Sequence, residues 1–222
     1  MANEPVLTCD SRDLLDRVGD QKTTREYQNK EEIYSQGDAA NAMYYIESGH
    51  VTLTVASKGG KKAILAILGK GDFFGENCLF KQPRRTTTAT ALQQCIVVCV
   101  RKTALNRVIR REREFSSRLV FHLLSRIRRI QEDFTDHLLH PSERRLARLL
   151  LRLSQLALRS KTEFAILRVS QETLAEAVGT TRSRVSFFMN RFRDMGLIKY
   201  DGKMYAGKFQ ARRALRAFLL HE

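Results

Sequence analysis

Three patterns follow one another along the 222 residues and together predict an α+β fold. Residues 30 to 102 hold short apolar runs punctuated by glycine-containing turns, the pattern of a β-sandwich or barrel. Residues 104 to 138 contain neither Pro nor Gly and carry an apolar seam, the pattern of one long helix. Residues 170 to 207 read as helix, turn, basic helix and hairpin, a winged helix-turn-helix.

In the first region "HVTLTVAS" alternates, placing Val51, Leu53 and Val55 on one strand face. Gly59-Gly60 turns that strand into "KAILAIL" as a hairpin. The cysteines are Cys9, Cys78, Cys95 and Cys99, with no C-x-x-C among them. Cys95 and Cys99 share one strand face and read as buried reduced thiols.

The pattern changes after Lys102. Val120, Leu123, Ile127, Ile130 and Phe134 recur three and four apart, as in a coiled-coil seam. A helix of that length runs about 50 Å. One small barrel cannot cover it, so a second copy of the chain is the natural partner. Pro141 ends the helix and disfavours helical geometry at His140. Ser142 is the expected N-cap of the next helix, with Glu143 in its first turn. The chain therefore divides into 1–103, a sensing half; 104–139, a dimerisation helix; and 140–222, an output half.

In the output half Ser170 caps a short helix with Leu174 and Val178 inward, and Gly179 supplies the turn. Thr181 caps a second helix on which Val185, Phe188, Met189 and Phe192 share one face. Ser183, Ser186, Phe187 and Asn190 share the other, flanked by Arg182 and Arg184. Such a helix fits the major groove of double-stranded DNA. Arg182 stands where base edges are read, and the Phe187 ring suits a thymine methyl but cannot bond guanine. Arg184, Arg191, Lys199 and Lys203 suit phosphates. A hairpin around Asp201-Gly202 forms the wing. In the last segment, 208–222, Leu215, Phe218 and Leu219 face the winged domain.

Charge agrees with this reading. The formal net charge is +15, and after Pro141 there are 17 Lys and Arg against 7 Asp and Glu. Acidic partners follow from that excess. No apolar run approaches the roughly 20 residues of a membrane helix, and the N-terminus lacks a signal pattern, so a cytoplasmic protein is expected. The chain lacks G-x-x-x-x-G-K-[ST], H-E-x-x-H and G-x-S-x-G, so it reads as no enzyme. The scattered cysteines and the lone His50 argue against a metal or cluster sensor.

The stretch "GENCLFKQPRRTTTA", residues 75 to 89, sets one carboxylate against two arginines and three threonines across a short loop. A carboxylate accepts from hydroxyls, while guanidinium and threonine hydroxyls bind phosphate oxygens. A ligand that wants both carries a sugar hydroxyl beside a phosphate, which describes a small nucleotide.

With "GDAANAMYYIESGHVTL", "GDFFGENCLFKQPRRTTTATA", the seam helix and "QETLAEAVGTTRSRVSFFM", the sequence resembles the CRP/FNR family of bacterial transcription regulators from about Glu32 to Gly207. The resemblance implies a jelly-roll-like β-roll that binds cAMP or cGMP without a metal, a homodimer through the long helix, and a palindromic operator. It also implies RNA polymerase as a partner. Within it, Gly75 lets backbone approach the nucleotide, Glu76 accepts from the ribose 2′-OH with Asn77 beside it, Arg85 pairs with the cyclic phosphate, and Thr86 donates to it. Ile130 and Gln131 fall where the family's best-known cAMP receptor contacts the base with two hydroxyl residues; Ile130 cannot bond an adenine amino group, whereas Gln131 can. An effector-independent DNA binder of the same fold is the alternative.

Overall fold

The structure is a computed structural model that describes residues 21–81, 83–159, 169–199, 210–211, 215 and 218–219. Eight strands precede the first described helix: β1 (Lys22–Tyr27), β2 (Glu32–Tyr34), β3 (Ala42–Ser48), β4 (His50–Ala56), β5 (Lys62–Gly69), β6 (Phe73–Phe74), β7 (Thr88–Ala91) and β8 (Cys95–Arg101). They form two four-stranded sheets, ordered β1-β8-β3-β6 and β2-β7-β4-β5. Every pairing between these strands is antiparallel.

The two sheets face each other across Tyr27, Tyr34, Ile46, Val51, Leu53, Phe74, Ala89 and Val97. The first sheet is also buried on its outer face, where Met43, Tyr45, Phe73, Val98 and Val100 meet the helices. Burial on both faces explains why "AMYYI" and "CIVVCV" are continuous apolar runs, while "HVTLTVAS" alternates. Cys95 lies inside the roll, and Cys78, Cys95 and Cys99 are free thiols.

The single helix expected over 104–138 is two. Helix α1 (Lys102–Arg111) packs Ala104, Leu105 and Val108 on the roll, and α2 (Arg113–Leu139) leaves at Glu112, whose backbone is extended. No proline causes the break. The Ser116 hydroxyl donates to the Ile109 carbonyl, an acceptor that a continuous helix would have bonded to backbone, and also to the Glu112 carbonyl, which accepts from the Ser116 N–H as well.

Helix α2 has two characters. Phe115 and Leu119 are buried on the roll, and the His122 ring stands edge-on to Phe73 at 5.3 Å. Val120, Leu124, Ile127, Ile130, Phe134 and Leu138 are exposed. Leu123, expected in this seam, is instead partly buried on the roll, and Leu124 takes its place. The reason is that the roll already claims the face carrying Leu119 and Leu123.

Helix α3 (Ser142–Arg159) begins at Ser142 itself, and the Pro141 carbonyl accepts from the Arg144 and Arg145 N–H groups. The expected cap therefore falls one residue earlier, on Pro141. Across this corner the two helices are joined by charge. Asp136, buried, pairs with Arg148; Arg152 Nη1 donates to Asp133 Oδ2 at 2.8 Å; Arg145 Nη1 donates to the His137 carbonyl at 3.0 Å.

Helices α4 (Gln171–Val178) and α5 (Arg182–Asp194) form as expected. The Ser170 and Thr181 side chains accept from the Thr173 and Arg184 N–H groups, and Gly179 turns between them at φ 70. Strands β9 (Ile198–Lys199) and β10 (Gln210–Ala211) pair antiparallel; the expected Asp201-Gly202 turn and Lys203 lie outside the described residues. Leu215 is fully buried, Phe218 packs edge-on to Phe192, and Arg144 donates to the Leu219 carbonyl. The output half also rests on the roll: Ile67 and Leu92 pack against its core, and Gly69 leaves room for both Leu156 and the His50 ring.

His50 is 2% exposed, its Nδ1 is bonded to Gln93, and burial pushes its pKa down to about 4. The unfolded chain thus binds this proton more readily than the folded one. The associated stability is complete above the ordinary value of 6.5 and is lost as pH falls from there to about 4. Chemical denaturation across that window is expected to lose up to roughly 1.4 kcal/mol per pH unit, and His50→Gln to flatten the slope.

Candidate functional site

Gly75 ends β6 in the left-handed region (φ 78) and opens a 3-10 turn, Glu76–Leu79. Only glycine takes that geometry without strain. The missing side chain also matters spatially, because a Cβ at Gly75 would lie 2.6 Å from Arg85 Nη1 and 3.1 Å from the Tyr44 ring. The room predicted for an approaching ligand is occupied by Arg85.

Arg85 is 3% exposed, deep between the two sheets. Nη1 donates to the Gly75 carbonyl (3.1 Å) and to Asn77 Oδ1 (3.4 Å), and Nη2 donates to the Ala42 carbonyl (2.8 Å). Its guanidinium lies 4.2 Å from the Tyr34 ring centre and 5.2 Å from that of Tyr44. Nε has no partner among the described residues. Asn77 closes the arrangement by donating Nδ2 to the Arg84 carbonyl at 2.6 Å. The neighbouring Arg84 is exposed and donates to the Gly37 carbonyl.

Tyr34, Tyr44 and Phe74 form one aromatic cluster, with ring centres 5.1 to 6.1 Å apart. Burial pushes the Tyr44 phenol up to about 12 and raises that of Tyr34. Both phenols stay neutral and keep their polar ends available as hydrogen-bond partners.

Glu76 does not meet Arg85. Arg126, on the roll-facing side of α2, donates to Glu76 Oε2 at 3.0 Å and to the Phe73 carbonyl at 3.3 Å. Beside this link, Arg129 lies 3.7 Å from Asp72. Gly75, Asn77 and Arg85 are therefore brought together, and Glu76 is joined to the long helix. Thr86 is exposed, and Ile130 and Gln131 stand exposed on α2 about a turn beyond Arg126.

Sequence reasoning missed Arg126, Tyr34 and Tyr44. Arg126 had a signal: it lies seven residues beyond Leu119 and four beyond His122, on the side of α2 that meets the roll. Among the described residues no cluster of His, Cys, Asp and Glu could hold a metal ion, and no helix is long and apolar enough to cross a membrane.

The second surface is the outer face of α5. Val185, Phe188, Met189 and Phe192 are buried, as the period requires. Arg182, Ser183, Arg184, Phe187 and Asn190 are exposed, Ser186 is half-buried, and Thr181 caps the helix. Phe187 stands 62% exposed on a helix face otherwise lined by polar groups. Arg184 lies 5.9 Å from the Phe188 ring centre. Arg191, expected to be free for phosphate, is instead bonded to Glu143 at 3.1 Å because α3 packs beside that turn.

Comparison with known proteins matches residues 24–112 to the cyclic nucleotide-binding domain and residues 144–218 to the Crp-like helix-turn-helix domain. The CRP-like cAMP-activated global transcriptional regulator of Mycobacterium tuberculosis is 30% identical over 189 residues, which cover 83% of this chain and 84% of that one. This chain belongs to the CRP/FNR family of transcription regulators. Among solved structures, FixK2 from Bradyrhizobium japonicum superposes with a TM-score of 0.75 at 21% identity, covering 88% of this chain and 96% of that one. A CRP-family transcriptional regulator from Thermus thermophilus superposes at 0.68 with 27% identity and the same coverage of each.

As a CRP/FNR regulator the chain is not an enzyme, and it binds DNA through its helix-turn-helix. Its β-roll is a cyclic nucleotide-binding domain. Within that domain, Gly75 is sensitive to a small change. Gly75→Ala combines a left-handed backbone with a Cβ against Arg85. It is expected to cost about 1–3 kcal/mol in urea denaturation, far more than an exposed glycine substitution would.

Proposed function

We propose that the protein is a homodimeric transcription regulator that binds a palindromic operator in response to a cyclic nucleotide, cAMP or cGMP. The observation that carries this reading is the Arg126–Glu76 pair. The carboxylate suited to a ribose hydroxyl is held by the same helix that bears the uncovered apolar seam. A nucleotide whose ribose 2′-OH donates to Glu76 shares that carboxylate with Arg126, and its phosphate offers Arg126 and Arg85 a new anionic partner. Binding therefore repositions α2 relative to the roll.

That shift has a path to DNA. Asp133, Asp136 and His137 near the end of α2 are tied to Arg152, Arg148 and Arg145 of α3. A turn or tilt of α2 thus carries α3 and the reading helix α5 with it. In the dimer the two α5 helices enter successive major grooves about 34 Å apart. Arg182, Ser183, Ser186, Phe187 and Asn190 face base edges, with Thr181, Arg184 and Lys203 near the backbone. The nucleotide acts only through its unequal affinity for the two arrangements. The cAMP-activated relative in Mycobacterium tuberculosis supports this choice of effector class. RNA polymerase is the partner that a regulator so placed would meet.

A second reading, an effector-independent regulator of the same fold, is favoured by one observation: Arg85 is 3% exposed and its Nη groups donate to the Gly75 and Ala42 carbonyls and to Asn77. Calorimetric titration with cAMP and cGMP, followed by gel shift on a selected operator, separates the two. The expected outcome is saturable binding and a nucleotide-dependent shift, both lost in Arg85→Ala. An identical shift with and without nucleotide would establish the second reading.

The dimer is tested separately. Ile127→Lys places a charge in the middle of the exposed seam. Sedimentation is expected to show monomer, with operator affinity falling by at least about tenfold because half the phosphate and base contacts are lost.

A further inference from the structure

Between β5 and β6 the chain turns over Gly69, Lys70, Gly71 and Asp72, and at this turn the roll, α2 and the output half meet. On the α2 side, Oδ1 of the buried Asp72 lies 3.7 Å from Arg129. Its other oxygen, Oδ2, accepts from the Gly69 N–H at 2.9 Å. On the output side, Gly69 lies against Leu156 of α3. A Cβ there would be 3.2 Å from Leu156 Cδ2 and 3.3 Å from the His50 ring. The turn is also tied to the first sheet, because the Gly71 N–H donates to the Ile46 carbonyl and the Ile46 N–H to the Asp72 carbonyl.

The contacts around this turn close a ring of three bodies. The roll holds α2 through Phe115, Leu119, the Arg126–Glu76 pair and Arg129. Helix α2 holds the output half through Asp133 and Asp136, and it touches the helix-turn-helix directly, since a Cβ at Gly179 would lie 3.2 Å from the His137 ring. The output half returns to the roll at Gly69, Ile67 and Leu92, and α4 packs against β5. In a closed ring no side changes alone. A turn or tilt of α2 on the roll that carries α3 with it has to slide or part the contact between the output half and the roll. That contact is apolar, so parting it returns apolar surface to water at a cost in free energy. It weighs against the re-aiming of α5 that the effector reading requires.

We propose that Gly69 is a positioning residue that sets the threshold of the response: its missing side chain lets the output half seat on the roll, and this seating opposes the movement of α2 that nucleotide binding drives. The inference rests on the cyclic nucleotide reading above. Gly69 is not needed for its backbone. It ends β5, pairs with His50, and its φ lies outside the left-handed region. A glycine in a strand otherwise weakens it. What glycine provides here is the close approach of Leu156. On the other side His50 is buried and its Nδ1 is bonded to Gln93, so a side chain added at position 69 presses on Leu156.

The test is a graded wedge, Gly69→Ala and Gly69→Val, which a strand backbone accepts. The full-length protein is titrated calorimetrically with cAMP and cGMP. Its affinity for an operator selected with the wild-type protein is measured by gel shift, without nucleotide and at saturation, and thermal unfolding is followed in parallel. Nucleotide affinity is expected to rise in the order wild type, Ala, Val, and by at least about fivefold for Val, the lower end of ordinary coupling between sites. Operator affinity without nucleotide should rise in the same order, so the gain from adding nucleotide shrinks. A merely structural role would lower the melting temperature and raise neither affinity. Should Gly69→Val not fold, Gly69→Ala alone decides, with the same direction expected. Folded variants in which either affinity fails to rise, beside a wild type that binds nucleotide, overturn the role of Gly69 and leave the effector reading standing. If neither wild type nor any folded variant binds either nucleotide, the two fall together.

Discussion

The burial of the Arg85 guanidinium constrains the rest of the sensing half. A charge removed from water is tolerated only when its donors and faces are provided for. Each provision comes from a different part of the roll. Gly75 supplies a carbonyl and an absent side chain, Ala42 a second carbonyl, Asn77 an amide, and Tyr34 and Tyr44 a ring on the guanidinium. These come from both sheets, so the guanidinium helps to fix how the sheets face each other. The left-handed turn at Gly75 and the 3-10 turn that follows place the carbonyl and Asn77 where Arg85 can reach them.

The second constraint is that α2 serves two surfaces. Its roll-facing side delivers Phe115, Leu119, His122 and Arg126 to the first sheet, and its other side leaves an apolar seam in the open. Because the helix runs unbroken after Glu112, whatever changes at Arg126 is felt along the seam and at the corner with α3. That corner is built from ion pairs rather than from apolar packing. Such pairs are directional and can exchange partners at modest cost, which would suit the repositioning of α2 proposed above. The docking of the output half on the roll at Ile67, Leu92 and Gly69, the last facing Leu156, adds an apolar contact between the two halves.

The legibility of the sequence followed the range of the interactions. The helix-turn-helix was read almost completely, since caps at Ser170 and Thr181, the Gly179 turn and the buried face of α5 are local. The strand order of the roll was not, because short strands of similar composition carry no label for their neighbours. The break at Glu112 was hidden, since neither Pro nor Gly marks it and α1 and α2 each pack on the roll through their own apolar residues. In the cassette, Gly75, Asn77 and Arg85 were recognised as a group. Their mutual bonding was not foreseen, and Glu76 was assigned a free carboxylate when Arg126, fifty residues on, already holds it.

What the sequence determined by itself was the order of the parts and the chemistry of their surfaces: alternating strands, a seam helix, and a basic reading helix whose polar face lacks a guanine-bonding residue at Phe187. Periodicity, capping and charge act over a few residues, so they survive without a fold. What only the tertiary structure decided was who meets whom: Arg126 with Glu76, Asp136 with Arg148, and Arg85 with two rings from different sheets. Those pairings depend on the path of the backbone between distant residues. A buried charge takes whichever acceptors that path brings within about 3 Å.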